Sequence, residues 1–195
     1  MKIVIHTCCA DCFLNTLNYI SANKNYKKNL EIVSFFFNPN IHPRSEYLER
    51  LNALKKIISQ ENYVDNIKLV IPEYRPKKYF EIIKKENNGF NNSNNNSCSK
   101  IQYRCLKCWT LRIRKLFEYS SEIGADAVTT TLLTSHYQNH EEILNIAKNI
   151  SKEFNIDFIH IDSSCNCKHT GFYKQNFCGC CFSLTEKLLK KYEHF

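Results

Sequence analysis

Seven of the eleven cysteines fall into three tight groups: Cys8-Cys9-Ala10-Asp11-Cys12, Cys105-Leu106-Lys107-Cys108 and Cys178-Gly179-Cys180. Thiolates are soft ligands for zinc, iron and iron–sulfur clusters. Seven of them exceed what one four-coordinate metal takes. The surplus points to an iron–sulfur cluster beside a second metal, or to a cluster beside working thiols. This surplus is the main reason to expect an enzyme. Taken alone, Cys9-Ala-Asp-Cys12 has three readings: metal ligand pair, redox dithiol or structural cysteines. Asp11 is either a hard oxygen ligand to a metal or a helix-start carboxylate. Cys105 and Cys108 are spaced to share one side of a helix, and Arg112 comes round to that side. Gly179 lets two sulfurs approach through an unusual backbone angle. Cys165 and Cys167 read as incidental.

A second set of polar residues stands where apolar runs give way to loops. It comprises His6, Asn38, Asn40, His42, Glu46, Tyr47, Arg50, Ser135, Tyr137, Gln138 and His140. Each alone suits a cap or a satisfied core group. Together they suit the wall of a polar pocket.

The elements that must position these groups follow from periodicity. Short β-branched or aromatic runs at 2–7, 32–37, 67–71, 126–131 and 156–161 read as buried strands. Helices are expected at 11–23, 43–59, 76–86, 100–122, 141–154 and 181–192. Pro43 suits a first turn and Gly124 a C-terminal cap. Strands alternating with helices imply βαβ units. The fold class is therefore α/β: one domain over 1–195, with a parallel sheet of about five strands flanked by helices. Ligands of such sheets bind beyond the carboxyl ends of the strands. The first cysteine group, residues 38–42 and residues 129–138 should all gather there. The Asn-rich stretch at 87–100 reads as a mobile surface loop.

The bulk numbers narrow the class. At 195 residues and 43% apolar content, one core forms without disulfide staples. No secretory signal or membrane span is expected, so the chain reads as cytoplasmic, with no membrane partner. Clustered cysteines in that compartment bind metal or do catalysis. The formal charge of +8 is compatible with a polyanion such as tRNA, or with a solvated basic surface. A phosphate loop for ATP needs glycine after the first strand, and no glycine precedes Gly89.

Five stretches resemble the QueH family of epoxyqueuosine reductases: His6-Thr-Cys-Cys-Ala-Asp-Cys12, residues 37–50 (Phe-Asn-Pro-Asn-Ile-His-Pro-Arg-Ser-Glu-Tyr-Leu-Glu-Arg), Arg104-Cys-Leu-Lys-Cys-Trp-Thr-Leu-Arg112, residues 129–140 and residues 173–183. They run in order along nearly the whole chain. The resemblance implies a nucleotide-hydrolase-like, Rossmann-like domain that reduces the epoxide of epoxyqueuosine at the tRNA wobble position. It implies a [4Fe–4S] cluster with a second mononuclear metal, iron or else zinc. Cys8, Cys9, Cys12, Cys105, Cys108, Cys178 and Cys180 are the implied ligands, with Asp11 doubtful because the family often has proline there. On that reading His6, His42, Tyr137 or His140 delivers a proton. Asn38, Asn40, Glu46, Tyr47, Arg50, Arg112, Gln138, Lys174 and Gln175 meet the substrate. The partners are tRNA carrying epoxyqueuosine and an unidentified electron donor. Rival readings are a tRNA thiolation enzyme of related fold, a zinc-binding tRNA-interaction module and a thiol–disulfide oxidoreductase.

Overall fold

Ile3, Val4 and Ile5 are all fully buried, which a strand achieves only when both faces of its sheet are covered. They lie in β1 (Lys2–His6). A computed structural model describes residues 1–23, 30–60, 67–84, 103–161, 171, 173 and 175–192. In it β1 is the middle strand of a five-stranded sheet ordered β3-β2-β1-β4-β5. The others are β2 (Glu31–Phe35), β3 (Ile67–Val70), β4 (Ala127–Thr130) and β5 (Asp157–Phe158). Every pairing is parallel, with Ile3 opposite Ile32 on one side and Ala127 on the other.

The helices are α1 (Ala10–Ala22), α2 (Arg44–Ile58), α3 (Pro76–Lys84), α4 (Tyr103–Glu122), α5 (His140–Phe154) and α6 (Cys181–Tyr192). Alternation along the strands divides them. Ile3, Ile5 and Ile32 face Phe13, Leu14 and Leu17 of α1 and Leu51 and Leu54 of α2. Val4, Val33, Phe35 and Val128 face Ile113, Leu116 and Phe117 of α4 and Ile143 and Ala147 of α5. A smaller cluster joins Tyr79 and Ile83 of α3 to Cys108 of α4, with Phe182 of α6 packed against it. No described helix is long and apolar enough to cross a membrane.

Element types match the periodicity, and the ends differ for local reasons. Helix α4 stops in a Schellman motif: Gly124 has φ +61°, Ala125 N–H donates to Ser120 O at 2.9 Å, and Gly124 N–H to Ser121 O at 3.3 Å. Pro43 sits one place earlier than expected, at the N-cap of α2. Helix α5 begins at His140 because Asn139 caps it, accepting from Glu142 N–H at 3.0 Å. Strand β5 is shorter than 156–161 because Thr129 Oγ1 takes the Ile159 carbonyl at 2.8 Å, where a ladder bond would continue. The Asn-rich stretch at 87–100, Cys165, Cys167 and Lys174 lie outside the described residues.

The strand order reverses between β1 and β4. The crevice beyond their carboxyl ends is where open α/β sheets bind ligands.

Candidate metal and active site

Strand β1 ends at His6, and the chain passes through Thr7 and Cys8 into Cys9, the N-cap of α1. This sets three sulfurs at the switch point. The Sγ atoms of Cys8, Cys9 and Cys12 all lie within 4.8 Å of one another. Cys8 Sγ and Cys9 Sγ are 3.9 Å apart. From the end of β4, Thr131 Oγ1 accepts from Cys8 N–H at 3.0 Å and donates to Cys8 Sγ at 3.2 Å. Hydrogen bonds from Cys12 and Cys9 hold the Cys8 thiol well below its ordinary range, against the effect of burial, with Arg112 and Thr131 assisting. Cys12 is pushed up because it donates toward Cys8 and Cys9 and is buried. Of these two thiols, Cys8 is thus the one that its surroundings favour as a thiolate.

The second set of sulfurs comes from α4 and the tail. Cys178 Sγ and Cys180 Sγ are 3.4 Å apart. Ser183, in the first turn of α6, donates its N–H to Cys180 Sγ at 3.3 Å. A hydrogen bond from Cys180 lowers the Cys178 thiol to about 6, overriding burial. Cys105 is raised to about 11 by burial and by Cys108 and Cys178 beside it. Cys108 is raised by burial, partly offset by Arg112. The tail therefore turns inward to α4, and its thiols and those of α4 feel one another's charge.

What turns it inward is a buried ion pair on α2. Arg50 is 1% exposed, and its Nε donates to Glu46 Oε1 at 2.6 Å. Its two terminal nitrogens reach toward Cys178 O and Phe177 O, each at 3.5 Å. Glu46 also accepts from the Tyr173 hydroxyl. Gly179 has φ +104°, and a Cβ there would lie 2.8 Å from Arg50 Nη2. The backbone of His42 completes the seam, donating to Gly179 O at 2.8 Å.

Arg112 lies between the two sulfur sets. It is 2% exposed, donates from Nε to His6 Nε2 at 3.2 Å and from Nη2 to Asn38 Oδ1 at 2.9 Å, and bonds Cys108. Its charge lowers Cys8 on one side and Cys178 on the other. None of the described carboxylates pairs with it in a salt bridge. A buried cation is favoured by negative charge nearby, and Cys8 and Cys178, whose thiols it lowers, are placed to supply it. Arginine has only donors, so His6 Nε2 takes the acceptor role and its proton sits on Nδ1, facing Thr130 Oγ1 at 3.0 Å. Burial, then Arg112, lowers the His6 imidazole to about 3. The ring is neutral at pH 7.

A cavity of about 60 Å³ opens onto the first sulfur set. Its wall includes Cys9, Cys12, Asp11, Asn15, Tyr137 and Gln175. Ser135 is on the same wall, and the other expected polar residues lie elsewhere. Asn38 is engaged twice, giving Nδ2 to Thr7 O at 2.7 Å as well as Oδ1 to Arg112. Tyr47 is buried in the core against Phe36 and Tyr74. Asn40 is 2% exposed. His42 stacks on Phe80, ring centroids 4.7 Å apart. Gln138 Oε1 accepts from Trp109 Nε1 at 2.7 Å, pinning the β4–α5 loop to α4. His140 Nε2 donates to Ser135 O at 2.8 Å. Arg50, Glu46 and Arg112 organise the sulfurs from within. Asn15, Thr134 and His136 on the cavity wall and Tyr79 beside Cys108 were not singled out by sequence. Asn15 falls one turn beyond Asp11 and Cys12, a spacing that could have revealed it. Tyr79, which bonds Cys108 from α3, carries no such signal.

The family model described as epoxyqueuosine reductase QueH matches residues 3–186. Proteins of that name are similar to this chain. The one from Helicobacter pylori is 29% identical over 197 residues, covering 93% of this chain and 49% of its own length. The one from Thermotoga maritima is 28% identical over 203 residues, covering 98% and 94%. The one from Dehalococcoides mccartyi is 24% identical over 196 residues, covering 97% and 96%. The chain thus spans about half the length of the first and nearly all of the other two.

Proposed function

The chain belongs to the QueH family, and from that premise we propose that it is an oxidoreductase acting on epoxyqueuosine at the wobble position of tRNA. Two electrons and two protons remove the epoxide oxygen as water and leave an alkene in the five-membered ring. The observation that carries this reading is the cavity at the switch point, walled by two of three converged cysteines.

The donor sets fit the cofactors the family implies. Sulfurs around a tetrahedral ion at ~2.3 Å stand ~3.8 Å apart, and Cys8 and Cys9 are 3.9 Å apart. A [4Fe–4S] cluster takes four thiolates. Cys8, Cys9, Cys12, Cys105, Cys108, Cys178 and Cys180 would together hold a cluster and a second ion, iron or else zinc. When bound, the cluster would relay single electrons from an external donor, and an ion with an open position would act as a Lewis acid toward the epoxide.

The chain's own residues supply the rest. Arg112 balances the negative charge of both sulfur sets. His6 and Asn38 fix Arg112, and Arg50 with Glu46 fixes the tail. Of the four groups expected to deliver a proton, Tyr137 is the one on the cavity wall, and we assign it that role. Asp11 lines the same cavity, beside the sulfurs, and would be an oxygen donor to the ion or a polar wall for the substrate.

The test is turnover under anaerobic conditions. Reduced protein is incubated with epoxyqueuosine-containing tRNA and the nucleosides are analysed by mass. Wild type should form queuosine. Cys105→Ala should lose iron, sulfide and visible absorption together with turnover, by at least about tenfold. An iron-free preparation with full activity would exclude the reading.

A further inference from the structure

Two side chains on the cavity wall have polar atoms that meet no partner among the described residues. Asn15 is 8% exposed, and its buried Nδ2 meets no acceptor among the described residues. Gln175, on the tail segment before the Cys-Gly-Cys loop, has a buried Oε1 that meets no donor among them. Both line the cavity of about 60 Å³ that also exposes Cys9 and Cys12. Buried polar atoms in native folds are paired, and an exception in a cavity wall is a place where water or a bound ligand supplies the partner.

The chemistry of that partner can be read from the pair. Asn15 presents a donor and Gln175 an acceptor. A hydroxyl group satisfies both kinds of atom. A phosphate or carboxylate would leave Gln175 Oε1 facing an anion, and Asp11 on the same wall adds a further acidic group. A hydrocarbon would leave both unpaired. The space holds about four to six water-sized groups at the ~10–15 Å³ each needs, which suits a small polyhydroxylated ring.

We propose that Asn15 and Gln175 are specificity-determining residues that hydrogen-bond the hydroxyl groups of the epoxide-bearing five-membered ring and hold its edge toward Cys9 and Cys12. This rests on the functional reading above and goes beyond it by naming the part of the substrate the cavity recognises.

The test uses near-isosteric apolar variants of the metal-loaded enzyme, Asn15→Leu and Gln175→Met, with Asn15→Ala as a smaller alternative. Each should lower kcat/KM for epoxyqueuosine-containing tRNA at least tenfold. Iron and sulfide content should stay at the wild-type level. So should the Kd for tRNA whose wobble base carries the aminomethyl stem without the ring. Because the change removes an unsatisfied buried group, Tm should stay constant or rise, whereas a merely structural amide would show a fall. Wild-type kcat/KM in the variants, equal weakening toward the ringless tRNA, or a lowered Tm with activity retained would each overturn the inference while leaving the function intact. A wild-type enzyme that leaves the epoxide untouched would instead overturn the functional reading, and this inference with it.

Discussion

Within each sulfur set the protons are unequally held, and that inequality is set by which thiol donates to which. Cys180 donates to Cys178, so Cys178 is a thiolate above about 6. Cys105, buried beside two other sulfurs, keeps its proton until about 11. Metal binding must displace the protons that remain, so affinity should rise with pH. The same ordering is visible without metal. In stripped, reduced protein, iodoacetamide labelling of Cys178, mapped by mass spectrometry, should have its midpoint near about 6. Cys105 should resist until far more alkaline solution. Cys180→Ala removes the donor that matters most, and should move the Cys178 midpoint up by about one pH unit or more, toward the ordinary thiol range. A common midpoint for all the thiols would show that the hydrogen bonds do not order them.

Placing those thiols is the work of elements whose contacts cross long stretches of sequence. Helix α2 holds the tail through Arg50, and the approach is so close that residue 179 has no room for a Cβ. Gly179→Ala combines a positive-φ penalty of about 1–3 kcal/mol with displacement of a buried guanidinium. Tm should fall by about 5 °C or more, and iron content with it. Adding Arg50→Ala relieves the clash, so the pair should be less harmful than the sum of the two single changes. Wild-type stability in the glycine variant would refute the clamp. The elements were largely legible beforehand, because a parallel sheet buried on both faces writes continuous apolar runs between amphipathic helices. The cysteines were legible too, since two or three thiols within five residues have few other uses. Arg50, Glu46, Tyr47 and Arg112 were legible as important but not as interior. A polar residue near a strand end has the same letter whether it faces a ligand or ties two elements together. That choice depends on helix rotation and on the tail's path, neither of which has a local signature. Asn15 is different: its helical spacing from Asp11 and Cys12 placed it on their side of α1 and could have revealed it.

At the scale of the whole molecule, His6 is the joint where the sheet meets the site. Its ring touches Thr130 at the end of β4, lies 3.2 Å from Phe37 O beyond β2, and accepts from Arg112 of α4. Three segments, β1, β4 and α4, are therefore tied together by one neutral imidazole. The charged groups facing it are Arg112, which opposes protonation, and Cys8, which favours it. Burial and Arg112 prevail, lowering the group from 6.5 to about 3. The sign of the pH dependence follows. Above 6.5 the ring is neutral in both folded and unfolded chains, and its contribution is fully present. Between 6.5 and 3 the unfolded chain takes up a proton that the folded chain refuses, so stability falls by about 1.4 kcal/mol per pH unit. Other groups titrate in this window, so the variant His6→Asn, which lacks the titrating ring, provides the reference. The stability difference between wild type and His6→Asn, from denaturant unfolding at several pH values, should be largest near pH 7. It should shrink by about 3 kcal/mol by pH 4. A difference that stays constant over that range would mean that His6 titrates alike in both states, and that the junction of sheet and site does not rest on its neutral form.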